Sequence, residues 1–246
     1  MNKLAILLCG VGLTTLSCQS NPFAHRSPNC NPDERLSQLL GEYDDCKSDK
    51  DSDGRGGQVL VDCDRVKNLL ERLSVEFPRH APTAMANAAV CYEERDRVKA
   101  EQFADRTLDL EPIHPEAAIL KSRISIEVGN LPAARRLLES QVQATPNHPG
   151  LREALSAVLY MSGDLTSASE ALDVAEGLGA PQWRIAFNRG LIAEKGKNAQ
   201  EAERQYSAAV NGNPDFKPAQ SRLAGIRAGS GYNQTAPPSP NSGGGQ

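Results

Sequence analysis

Three Pro-x-His triplets stand 34 residues apart in this chain, at Pro78/His80, Pro112/His114 and Pro146/His148. Pro214 continues the period two steps on, with Ala180 where the intervening proline would stand. A fixed period of this length marks an array of helix pairs, in which no unit buries its own apolar face and each stacks on its neighbours. Proline suits a turn or a first helical turn, because it has no N–H to donate. The recurring prolines therefore predict turns between successive helix pairs.

Placing the proline at position 32 starts the repeats at Ala81, Pro115, Pro149 and Trp183, with no insertion between them. Position 20 is then Ala100, Ala134, Ala168 and Ala202, and position 8 is Ala88, Ser122, Ser156 and Gly190. Small side chains at these two columns let the helices of a pair cross closely. Position 24 holds Ala104, Leu138, Leu172 and Tyr206, and position 10 holds Val90, Ile124, Val158 and Ile192. Gly129-Asn130 and Gly163-Asp164 fall where the turn within a pair belongs, since Gly accepts the positive φ that ends a helix.

Several independent columns agree in one register across residues 81–214, and this stretch resembles the tetratricopeptide repeat (TPR) family. The usual Tyr column is occupied by Cys91, Ser125, Leu159 and Ala193. The resemblance implies an all-α fold, a right-handed TPR solenoid of four helix pairs with a C-terminal capping helix over residues 215–228. Residues 63–77 fit a lone second helix ahead of the array, with residues 32–45 as its candidate partner, in an N-terminal region spanning 33–80.

The two ends read differently. Lys3 precedes a mostly apolar run from Leu4 to Leu16, too short for a comfortable bilayer span and suited to a signal peptide over residues 1–17. The run closes Leu16-Ser17-Cys18 and resembles a bacterial lipobox, which implies lipidation of Cys18, a membrane anchor, and a tether over residues 18–32. Gln19, not Asp, follows the cysteine, and in similar lipoproteins this favours the outer membrane, with the domain facing the periplasm. Residues 229–246 are rich in Gly, Ser, Pro and Asn and predict a disordered tail.

Cys30, Cys46, Cys63 and Cys91 would remain after processing. An even number in an oxidising compartment predicts two disulfides, of which Cys30–Cys46 and Cys63–Cys91 are the favoured pairing among three. Their spacing offers no zinc motif. The chain carries 27 basic and 31 acidic residues and no basic cluster, which argues against nucleic acid as a partner.

No catalytic constellation is present, and no cofactor or small-molecule substrate is expected. His80, His114 and His148 recur because the turn recurs, and read as helix-start residues. Asp49-x-Asp51-x-Asp53-Gly54 resembles the opening of a calcium loop, but Leu60 stands at the twelfth position where an acid is required. In TPR proteins the first helices line a concave groove. The columns that line it map here to Met85, Tyr92, Ile119, Arg123, Ile126, Tyr160, Met161 and Phe187. The expected function is a non-enzymatic adaptor that binds and positions an envelope protein at the outer membrane. Its plan is similar to the pilotins of type IV pilus secretins. Two rivals are a calcium-responsive module and an accessory regulator of an envelope enzyme.

Overall fold

The computed structural model describes residues 31–51 and 62–234, which form eleven α-helices and, among the described residues, no strand. The chain divides into two compact units, residues 1–66 and 67–246.

In the first unit, α1 (Pro32–Asp51) carries a stripe of Leu36, Leu39, Tyr43 and Cys46, spaced three or four residues apart and all buried. Cys46 is disulfide-bonded to Cys63, the first residue of α2 (Cys63–Glu76), with a Cα–Cα distance of 5.5 Å. This corrects the expected pairing. Cys91 is a free, buried thiol packed among Ala88, Ala100, Ala104, Leu120 and Ile124. Its side chain belongs to the repeat core, so the α1–α2 connection closes the bond locally. Cys30 lies outside the described residues. The helix α1 also extends beyond the expected Asp45, to Asp51.

In the second unit, first helices α3 (Ala81–Glu93), α5 (Pro115–Glu127), α7 (Pro149–Ser162) and α9 (Gln182–Lys195) alternate with second helices. These are α4 (Arg97–Leu110), α6 (Leu131–Ala144), α8 (Leu165–Gly177) and α10 (Ala199–Gly212). Each first helix packs on its own second helix, each second helix packs on the next first helix, and consecutive first helices touch side by side. The last pair is covered by α11 (Lys217–Gln234), whose Ala219 and Leu223 are buried. That helix runs six residues past the expected end at Ala228. Gly229 and Gly231 weaken a helix without breaking it, and the first proline beyond is Pro237.

The punctuation is chemical and repeats with the fold. His114 and His148 are N-cap residues whose Nδ1 accepts from the N–H of Ala117 (3.3 Å) and Leu151 (3.2 Å). His80 holds the same place and meets Thr83 Oγ1 at 2.7 Å. In two of the three triplets the turn is thus followed by an imidazole cap, and in the first the imidazole meets a threonine hydroxyl instead. At α9 the device lapses: Pro181 is the N-cap, and the preceding helix ends through Gly179 at φ 89°. Second helices are capped by Asp96, Asn130, Asp164 and Asn198, each accepting from the N–H three residues on.

Just before each of these caps the chain takes positive φ, at Arg95 (65°), Gly129 (78°), Gly163 (87°) and Lys197 (61°). Left-handed backbone costs an L-residue about 1 kcal/mol. Gly163→Ala should lower the unfolding free energy by about that amount and Lys197→Gly should raise it by about 0.5 kcal/mol, both read from urea titrations.

The crossing columns pack as small against large. Ala100, Ala134, Ala168 and Ala202 are fully buried. Ser156 Oγ donates across the pair to the Ala168 carbonyl at 2.8 Å. Gly190 lies under the Tyr206 ring, where an added Cβ would stand 2.5 Å from a ring carbon.

Candidate functional site

The row α3–α5–α7–α9 collects every residue expected to line the groove, though in different roles. Met85, Ile119 and Ile126 are half-buried, their stems packed on the repeat cores. Phe187 is half-buried too, edge-on to Phe216 with centroids 5.0 Å apart and 5.8 Å from Tyr206. Arg123 and Met161 are exposed, and so is Ala157 beside them, which the sequence reading did not single out.

The two tyrosines are ties between repeats. The Arg97 guanidinium lies over the Tyr92 ring at 3.9 Å, and the Tyr92 hydroxyl donates to Glu127 Oε1 at 2.6 Å. Arg97 also donates to Glu127 Oε2 and to the Tyr92 carbonyl. One carboxylate of the second repeat therefore gathers an aromatic and a cation of the first. At the other end, Lys195 Nζ sits 4.5 Å from the Tyr160 ring centroid and donates to the Tyr160 carbonyl. Lys195 was also absent from the sequence reading. Its signal was available, because position 13 of one repeat faces position 12 of the repeat before.

The hydrogen bond from Tyr92 and the charge and hydrogen bond of Arg97 hold Glu127 below its ordinary carboxylate value, against a smaller opposing effect of burial. Burial, then the bond to Glu127, pushes Tyr92 up. A carboxylate with a lowered folded pKa contributes stability that is present above its unfolded value and lost as pH falls through the folded one. The melting-temperature gap between the chain and Glu127→Gln should therefore be widest near neutral pH. It should close as pH falls from 4.5 through the lower folded value.

Other face carboxylates are engaged as well. Glu153 accepts from Arg184 at 2.6 Å, and Glu194 accepts from the Tyr206 hydroxyl at 2.6 Å and from Arg222 at 3.1 Å. Near the helix starts, Glu116 lies 3.4 Å from both His114 Nδ1 and His148 Nε2.

Among the described residues no group of three or more His, Cys, Asp or Glu is placed to hold a metal, and no helix is long and apolar enough to cross a membrane. The helix α1 runs through Asp51, which places the backbone of Asp49 and Asp51 in its last turns. Asp53 lies outside the described residues, and so does Cys18. Beside Cys91, in the usual Tyr column, a cavity of about 170 Å³ is lined by Lys67, Glu71, Glu94 and Lys99. Lys67 pairs with Glu94 and Lys99 with Glu71, while Asp96, which also lines it, caps α4.

No family model matches the sequence, and no curated protein matches it. Solved structures do. A thermophilic TPR protein of Thermus thermophilus superposes with a TM-score of 0.62 at 18% identity, over 80% of this chain and 98% of that one. A tetratricopeptide repeat protein of Parabacteroides merdae gives 0.58 at 16% identity, over 80% and 70%. A chain of the APC/C hetero-tetramer Cut9–Hcn1 gives 0.60 at 15% identity, over 68% of this chain and 33% of that one. Identities this low speak for fold alone, and the fold is a TPR solenoid of helix pairs closed by a C-terminal helix.

Proposed function

We propose that this chain is a non-catalytic adaptor lipoprotein. Its first-helix face takes up a segment of a protein partner, and Cys18 carries the lipid that holds the complex at the outer membrane. The observation that carries the reading is the half-open apolar strip on three adjacent helices: Ile119 and Ile126 on α5, Ala157, Tyr160 and Met161 on α7, and Phe187 on α9. Apolar side chains left half-open on a rigid scaffold suit a partner's segment better than a reaction. The fold's use within a multiprotein assembly, as in the Cut9–Hcn1 hetero-tetramer, supports an adaptor role. The partner proposed is a component of a type IV pilus secretin complex, by the similarity of plan to the pilotins.

Tagged protein captured from gently solubilised membranes, beside Ala157→Asp/Met161→Asp, tests this. Both positions are exposed, so the variant should fold. A secretin or pilus component retained by the chain and lost from the variant supports the reading. Retention by both places binding elsewhere, and a different partner removes the pilus assignment.

A further inference from the structure

The carboxylates toward the C-terminal half of the first-helix face are spoken for, while two of its cations pair with no carboxylate among the described residues. Glu127 is held by Arg97 and Tyr92, and Glu194 by Arg222 and Tyr206. Glu93 is engaged too. Arg123 on α5 is exposed, and no hydrogen bond or ion pair holds it among the described residues. Lys195 on α9 donates to a backbone carbonyl and leans on the Tyr160 ring, with no carboxylate beside it. Between them, on α7, lie Ala157, Tyr160 and Met161. A cation in the last turn of a helix complements the helix dipole, which accounts for Lys195. It does not account for Arg123, a full turn before the end of α5. Glu116, an exposed carboxylate near His114 and His148, is seven residues before Arg123 on α5, about 10 Å along the axis, and Glu127, one turn after Arg123, is held by Arg97 and Tyr92.

The face is therefore cation, apolar floor, cation, read across three helices packed side by side. We infer that the partner segment it takes up is acidic as well as apolar, an extended stretch with a carboxylate on either side of an apolar centre. The inference rests on the adaptor reading of this face and names the chemistry of the occupant. Helices in contact lie about 8–10 Å apart, so two spacings span about 16–20 Å. An extended chain crosses that in about five or six residues, at about 3.3 Å each. Two acids about six positions apart, which share one face of an extended chain, meet Arg123 and Lys195 while Leu or Val on the same face between them covers Ala157 and Met161.

The test uses three fluorescein-labelled peptides with one shared Leu/Val/Thr framework. They carry two Glu, two Gln or two Lys about six positions apart, and are titrated against the full chain by fluorescence anisotropy at low and raised salt. The Glu peptide is expected to bind about tenfold tighter than the Lys peptide, with the gap shrinking as salt rises. Arg123→Glu/Lys195→Glu is expected to reverse the order. Equal binding of all three peptides, or an order unchanged in the charge-reversed variant, overturns the acidic occupant. In that case the adaptor reading survives, provided Ala157→Asp/Met161→Asp abolishes binding of every peptide. Binding of no peptide, or binding that persists in that apolar-strip variant, overturns both.

Discussion

Gly190→Ala is expected to destabilise the array by about 3 kcal/mol, against the usual sign for this substitution. In an ordinary helix interior, Gly to Ala gains about 1 kcal/mol. Here the added methyl would stand 2.5–3.1 Å from three carbons of the Tyr206 ring. The ring cannot step aside easily, because it is fully buried and its hydroxyl is anchored on Glu194. The other repeats point to a rescue. Where position 24 is Leu138 or Leu172, position 8 is Ser122 or Ser156, and where position 24 is Ala104, position 8 is Ala88. Large opposes small in the last three pairs, and the first sets small against small. Gly190→Ala/Tyr206→Leu should accordingly be more stable than Gly190→Ala alone, a coupling visible in a double-mutant cycle by urea denaturation. Wild-type stability of the single variant would mean that the close approach is not a constraint.

Loss of the Cys46–Cys63 bond is the second large effect. It closes a sequence separation of 17, for which chain-entropy reasoning gives about 3 kcal/mol. Cys46→Ser/Cys63→Ser, or reductant on the native chain, should lower the melting point of the N-terminal helices by that equivalent. Peptide mapping should recover Cys46 linked to Cys63 and Cys91 as a free thiol. A Cys63–Cys91 linked peptide would refute the assignment. Cys91 itself should resist alkylation until the chain unfolds, since burial, then Asp96 and Glu71, pushes its thiol up.

The helix pairs were legible because a TPR turn is written in local chemistry. Proline, glycine and small crossing residues each act within a few positions of themselves, and the period repeats them in register. The caps at Asp96, Asn130, Asp164 and Asn198 obey the same spacing and could have been read in full. Arg95 and Lys197 could not, because only the surrounding fold forces a non-glycine residue into left-handed backbone. The disulfide partner was equally out of reach: four cysteines allow three pairings, and tertiary packing selects among them. Of the groove, the face was legible and the use of its residues was not. Tyr92 and Tyr160 fall in the lining column, yet their partners Glu127 and Lys195 come from the next repeat. Both contacts join position 12 of one repeat to position 13 of the next, a separation of 35 that shows only when neighbouring columns are compared.

The aromatic residues are unevenly shared along the array, and that asymmetry determines what light can report. Trp183, the chain's single tryptophan, lies 4.9 Å from Phe216, which in turn meets Phe187, so the indole stands at the junction of the last pair and α11. The first pair crosses on alanines alone, Ala88 and Ala104. Intrinsic fluorescence therefore watches one terminus of the array open, while circular dichroism averages over all of its helices. A chain that melts as a single cooperative body will give both signals one midpoint, whereas one that unzips from its alanine-packed end will lose ellipticity while the indole is still shielded.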